Sequence, residues 1–314
     1  MTGEVAATFD DISGAVLRGI SFTVARGEIL GVTGLAGSGF DELPYVLAGA
    51  RPGSGTVALG GRRVDVAGLD PRAAIAAGIV LIPADRARLG VIGEVSIREN
   101  VALPRMQRFF RGGLLREGAE RAWVRELVDG FGVLHGGVDR EMNTLSGGNQ
   151  QKTVLAKWLA GDPDLILLHE PTQGVDVGGR FDIYRQLRDA ADRGAAVVAA
   201  GESPEELAEL CDRVLIVKDG ALFGELRGAR VEKHAIVDAT LSETPCEWRW
   251  SLERPSPLTT DSTRYEARPR TRRSDHARPR AHRRPRRRTD RDLRARRRHR
   301  RRPHLDAHLT RRPP

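Results

Sequence analysis

Three segments of this sequence carry residue types that could do phosphate chemistry. Leu145-Ser146-Gly147-Gly148-Asn149-Gln150-Gln151-Lys152 runs into an apolar helix. A hydroxyl and two glycines at a helix start leave backbone N–H groups free where the helix dipole favours an anion. Thirteen residues further on comes Leu165-Ile166-Leu167-Leu168-His169-Glu170-Pro171-Thr172. An apolar strand ending in an acid sets a carboxylate at the mouth of a buried parallel sheet. The third segment is Gly34-Leu35-Ala36-Gly37-Ser38-Gly39-Phe40-Asp41. Its glycines have the spacing of the phosphate-binding pattern G-x-x-x-x-G-K-[ST], in which glycines let the backbone wrap phosphates, lysine adds charge and the hydroxyl ligates Mg²⁺. Phe40 stands in the lysine place and Asp41 in the hydroxyl place. The cradle is kept, while its cation and its neutral metal ligand are gone.

These segments need a scaffold, and the periodicity supplies one. Ile20–Val24 alternates like a strand, and Ile29–Thr33 reads as a buried one. A helix is expected from about Asp41 to Ala48, then a hairpin over Thr56–Leu59 and Val64 turning at Gly60-Gly61. Pro71–Ala77 reads as a helix opening on Asp70, and Ile79–Ile82 as another buried strand. Residues 83–134 are polar, arginine-rich and mostly helical, with helices expected at Ile97–Leu103 and Arg116–Phe131. After Ser146, the apolar residues Val154, Leu155, Trp158 and Leu159 keep a helical spacing. Strands at 165–168, 196–200 and 214–217 then alternate with helices at 178–193, 204–211 and about 231–241. Strand–helix alternation implies an α/β fold with a mostly parallel core sheet.

The charge is unevenly spread. The chain has 314 residues and a formal net charge of +9. From Pro245 onward, 24 arginines and no lysine face 8 acids, a net of +16, which leaves 27 basic and 34 acidic groups, a net of −7, in residues 1–244. A basic balance ordinarily points to nucleic acid. Here the body that folds is acidic, so no nucleic-acid partner is expected. The Arg/Pro-rich tail lacks the apolar content to bury a core and reads as disordered. Its composition is also that of a frameshifted read of GC-rich coding DNA, while a run such as Arg296-Arg297-Arg298 has the chemistry to bind RNA or acidic lipid. The two cysteines, Cys211 and Cys246, match no metal spacing, and Cys211 reads as a small buried residue. The N-terminus lacks the pattern of a signal peptide, and no apolar run approaches the roughly 20 residues that span a bilayer. A soluble, cytoplasmic protein is expected, with any membrane role coming through a partner.

In this order and spacing, Leu145–Lys152 and Leu165–Asp176 resemble the signature and Walker B segments of ATP-binding cassette (ABC) ATPases. Asn149-Gln150-Gln151-Lys152, with Gly34-Leu35-Ala36-Gly37 and Gly174-Val175-Asp176-Val177-Gly178, is similar to the second cassette of the double-cassette ATPases of bacterial monosaccharide importers (ribose, galactose, xylose class). The resemblance covers about residues 15–242. It implies a P-loop NTPase-like cassette over residues 1–244, with an antiparallel β subdomain and a helical subdomain at about 84–160. It implies ATP as ligand, with Mg²⁺ weakened at the chain's own site. Nucleotide would be met by Gly34, Gly37, Ser38, Gly39, Phe40 and Asp41 on one side. On the other stand Ser146, Gly147, Gly148, Gln150 and Asp176, with Glu170 as the catalytic carboxylate that polarises the attacking water. Asp41 and His169 take the usual Mg²⁺ positions, and they are expected to pair directly, leaving His169 protonated. Glu202 falls at the switch-histidine position, Pro83-Ala84-Asp85-Arg86 lacks the expected glutamine, and no aromatic near 12–18 is placed to stack adenine.

The resemblance further implies a second cassette as partner, membrane permease subunits touching the arginine-rich block near 85–110, and a sugar-binding protein indirectly. The chain would lie on the inner face of the cell membrane. Two alternatives stand beside this reading. One is a catalytically silent nucleotide-binding scaffold or truncated fragment of such an ATPase. The other is a ribosome-associated ABC factor, against which count the missing second cassette and the eroded loop.

Overall fold

The computed structural model describes residues 4–244. The basic tail expected after residue 245 lies outside the described residues, as does Cys246. The elements run β1 (Val5–Ser13), β2 (Ile20–Ala25), β3 (Ile29–Gly34), α1 (Leu43–Leu47), β4 (Ser54–Leu59), β5 (Arg62–Asp65), α2 (Pro71–Ala76) and β6 (Ile79–Ile82). Next come α3 (Arg86–Leu89), α4 (Ile97–Ala102), the short pair β7 (Phe110–Arg111) and β8 (Leu114–Leu115), α5 (Glu117–Gly130) and α6 (Gly147–Leu159). The chain closes through β9 (Leu165–His169), α7 (Val177–Asp192), β10 (Ala196–Ala200), α8 (Pro204–Leu210), β11 (Arg213–Lys218), β12 (Ala221–Arg227) and α9 (Lys233–Leu241).

A six-stranded sheet has the order β12-β11-β3-β10-β9-β6. All neighbours in it are parallel except the edge pair β11–β12. Its central strands are buried along almost their whole length, as a parallel sheet covered on both faces requires. A second, antiparallel sheet, β2-β1-β4-β5, lies across one face. Phe9 and Phe22 stack at 4.3 Å there and share a core with Leu30, Val32, Val198 and Leu215. On the other face Val154, Leu155 and Leu159 of α6 pack with Ile183 and Leu187 of α7. Between β6 and β9, α4 and α5 build a separate core from Ile97, Val101, Val124, Val128, Met142 and Leu145. That block is braced by Arg98, which pairs with the buried Glu120 at 2.6 Å and with Asp139 at 2.9 Å.

Local sequence explains where the helices begin. Asp70 caps α2 through the Ala73 N–H at 2.7 Å, with Pro71 just inside. Ser96 and Glu99 form a reciprocal capping box on α4. The pattern missed four strands, the two-residue pair β7–β8 inside the block read as helical and the longer β1 and β12. In β1, the Asp10-Asp11 step interrupts the alternation, and Asp11 sits at φ 54° where the register with β2 and β4 shifts. β12 is a half-exposed edge strand broken by Gly224. Cys211 is buried, and burial pushes its thiol pKa up.

Candidate functional site

The glycine loop and the Glu170 turn lie at the carboxyl ends of the parallel strands β3 and β9, the usual crevice of an open α/β sheet. The glycine loop follows β3. A Cβ on Gly34 would stand 2.2 Å from the Val217 carbonyl oxygen and 2.3 Å from Ser38 Oγ, so only glycine fits. Gly37 and Gly39 turn the chain at φ 82° and 96°. The expectation of a helix from Asp41 is corrected: α1 starts at Leu43 and has five residues. The first turn is diverted by Glu42, whose buried carboxylate accepts the N–H groups of Ala15 (3.1 Å), Val16 (2.7 Å) and Leu17 (2.7 Å). Residues 14–17 are thereby drawn down onto the loop, and a Cβ on Gly39 would lie 3.1 Å from Val16. Phe40 is 1% exposed and belongs to the core shared by the two sheets. Its ring continues the apolar interior instead of facing the crevice. Ser38 Oγ is buried without a hydrogen-bond partner.

At the end of β9, Glu170 takes φ 49°, a left-handed backbone that costs strain for a residue with a Cβ and is often found at functional turns. Its N–H donates to the Ala200 carbonyl at 2.9 Å, and its Oε1 accepts the Glu202 N–H at 2.5 Å. The turn after β9 is thus stitched to the turn after β10. Burial pushes the Glu170 pKa up, the Glu202 amide working against it. His169 is half-buried and shares a hydrogen bond with the Tyr45 hydroxyl, Nδ1 to O 3.1 Å, the rings meeting edge to face.

The expected Asp41–His169 pair does not form. Asp41 acts on His169 only as a nearby charge, while burial lowers the His169 pKa and favours neutral imidazole. The physical reason is the short α1: it brings Tyr45, one turn later, to the imidazole. Mg²⁺ takes hard oxygen ligands in near-octahedral geometry. An imidazole held by a tyrosine beside one carboxylate does not meet that demand. Among the described residues no group of three or more His, Cys, Asp or Glu is arranged to hold a metal.

The Ser146 turn is built differently. Ser146 is exposed, and its Oγ caps α6, accepting from Asn149 N at 3.5 Å and Nδ2 at 2.9 Å. Gly147 and Gly148 open the 13-residue helix at the surface. Gln150, expected among the nucleotide-site residues, donates its amide Nε2 to the Leu145 carbonyl at 3.2 Å and braces the turn. Gln151 is buried and donates to the Pro171 carbonyl at 2.8 Å, tying α6 to the segment just after Glu170. Asp176 caps α7 through Gly179 N at 2.8 Å, and a Cβ on Gly148 would lie 3.8 Å from its Oδ2. The expected residues therefore gather in two groups: 34–41 with His169 and Glu170, and Ser146–Gly148 with Asp176. Sequence reasoning missed Glu42, Tyr45, Arg86 and Gln151, whose partners lie 20 or more positions away and leave no local pattern.

The fold and the loop arrangement define an ABC-type nucleotide-binding cassette. The chain aligns with the nucleotide-free ATP-binding cassette of an ABC transporter at TM-score 0.60 and 21% identity, covering 76% of this chain and 98% of that one. It aligns with the ADP conformation of MJ1267, an ABC transporter cassette, at TM-score 0.59 and 20% identity, covering 75% and 94%. The pattern of the ABC transporter family matches residues 17–173, and the chain belongs to that family. It is 40% identical over 246 residues to ribose import ATP-binding protein RbsA 1 of Rhizobium johnstonii, covering 76% of this chain and 48% of that protein. Against the putative ribose/galactose/methyl galactoside import ATP-binding protein 1 of Rhizobium meliloti it is 38% identical, covering 78% and 49%. The chain thus spans about half the length of the curated relatives it matches. No helix among the described residues is long and apolar enough to cross a membrane.

Proposed function

We propose that this chain is an ATP-binding cassette of a carbohydrate importer that works beside a second cassette. Its Ser146-Gly147-Gly148 turn, with Ser146 exposed and the glycines half-buried, would complete the partner's ATP site, and its own glycine loop would hold nucleotide weakly. One contrast carries this reading. Ser146 is exposed at the start of α6, where the helix dipole favours an anion, whereas Phe40 is 1% exposed in the core. The signature turn would give its amides to the γ-phosphate on the partner, with Asp176 beside it. The chain's own loop would lack a phosphate-binding cation at Phe40 and an oxygen-rich metal site at Asp41 and His169, so Glu170 would have no charge-stabilised transition state to serve. The names of the import relatives above support a sugar as cargo; permease subunits as membrane partners, a sugar-binding protein upstream and a place on the inner face of the membrane follow from the proposed importer role.

The test is hydrolysis by the full chain alone and mixed with a family cassette whose loop has its lysine. The chain alone is expected to turn over ATP at less than about one hundredth of the mixed rate. ATP binding to the chain alone should change less than about threefold on adding EDTA, since its loop does not fit Mg²⁺. A mixture no faster than the partner by itself would favour a catalytically silent scaffold instead.

A further inference from the structure

We infer that Arg86 is a further residue of the composite nucleotide site, a guanidinium that rivets the signature turn to the Gln173–Asp176 loop and adds positive charge beside the triphosphate. The inference rests on the proposed role of the signature turn. Arg86 opens α3, in the stretch after β6 where the family's glutamine is missing. Its side chain crosses to the other half of the site. Nη1 donates to the Gln173 carbonyl at 2.6 Å. A Cβ on Gly147 would lie 2.5 Å from Nη2, and one on Gly174 would lie 3.2 Å from it. Both glycines thus leave the room that the guanidinium fills.

Arg86 departs from most of the covered arginines; among the described residues Arg105, half-buried and donating to the Lys157 carbonyl at 2.8 Å, is likewise outside any ion pair. The half-buried and buried arginines Arg98, Arg188 and Arg213 each pair with a carboxylate. Arg88, two positions along, is highly exposed and stands 3.9 Å from Asp85. Among the described residues, no carboxylate lies within ion-pair distance of Arg86, and its Nε is buried without a hydrogen-bond partner. The nearest acid of the adjoining loop, Asp176, is committed to the Gly179 N–H. A partly desolvated cation with no counter-charge, packed against a glycine turn at the start of a helix, is matched to an anion arriving from outside the chain. The planar guanidinium can keep the Gln173 carbonyl on one edge and present a fixed fork of donors to phosphate oxygens, a geometry that the point-like ammonium of a lysine does not have.

The experiment uses the full chain mixed with a family cassette bearing an intact phosphate loop, with ATP as the probe. Arg86→Gln is expected to lower kcat about tenfold or more while KM for ATP stays within about threefold. Millimolar guanidinium chloride, but not sodium chloride, should restore part of the lost rate. Arg86→Lys, which keeps charge without the fork, should fall between the two, and it decides the matter should Arg86→Gln melt far below the parent. Ser146→Arg separates the two claims. If it abolishes the mixed activity while Arg86→Gln stays within twofold of the parent, the Arg86 assignment is overturned and the signature reading stands. If Ser146→Arg has no effect, the signature reading itself fails. A rate lost in Arg86→Gln that guanidinium cannot restore would leave only a packing role and also overturn the assignment.

Discussion

The loop at 34–42 and the turn at 145–151 both contain closely spaced glycines at the start of a helix, yet the molecule finishes them in opposite ways. At the first, Phe40 joins the core, Glu42 spends its charge on the amides of residues 15–17, and the helix starts late. At the second, the bracing bonds of Gln150 and Gln151 point inward and leave Ser146 and the glycines facing out. The lesson is that glycine spacing sets where a backbone can turn, while the side chains just after it decide whether the turn faces a ligand or the interior.

The largest effect should come from the loop side, in stability. Phe40→Ala removes a fully buried ring and is expected to cost about 3–5 kcal/mol in urea unfolding, with nucleotide affinity of the chain alone barely altered. A stable Phe40→Ala variant would mean the ring is not core and would dissolve the contrast.

Next comes Glu206, buried behind Thr172 and Glu170, with Oε1 lacking a partner. Burial pushes its pKa up to about 7 from 4.5. The folded state then holds this proton more tightly than the unfolded state, so stability falls as pH rises from about 4.5 through 7, and the full cost remains above it. Glu206→Gln should therefore stabilise the chain at pH 8 by roughly 3 kcal/mol, flatten that part of the pH profile, and give little gain at pH 4.5. Thermal melts across pH 4.5–8 check the sign.

On the turn side the effect should appear in activity. Gly148→Glu places a carboxylate where an anion is expected and should lower the mixed ATPase rate about a hundredfold. His169→Asn, on the loop side, should change it less than about threefold. Equal losses at both positions would erase the asymmetry. The smallest of the stability effects is Glu42→Gln, which keeps one acceptor but loses the charge on three amide bonds and should cost about 1–2 kcal/mol by denaturant titration.

Much of this was legible in advance. The buried strands β3, β6, β9, β10 and β11 appear as short apolar runs because both faces of a parallel sheet are covered. The capped helices α2 and α6 announce themselves through Asp70 and Ser146, since a cap acts within three residues, while the cap that Asp176 gives α7 is seen only in the structure. β1 escaped because its two acids and register shift break the period-two signal. The pairing expected between Asp41 and His169 failed for a reason no local pattern contains: which side chain meets the imidazole depends on where α1 begins.

By itself the sequence determined the α/β alternation, the places where the backbone turns, and the odd residues Phe40, Asp41 and His169. Periodicity, capping and glycine conformations act over a few positions, so they can be read in one dimension. Only the tertiary structure decided that Phe40 is core, that Glu42 binds residues 15–17, that His169 meets Tyr45, and that Arg86 reaches Gly147 and Gly174. Those contacts join segments brought together by strand order, and burial there selects partners by geometry and desolvation, which sequence spacing does not encode.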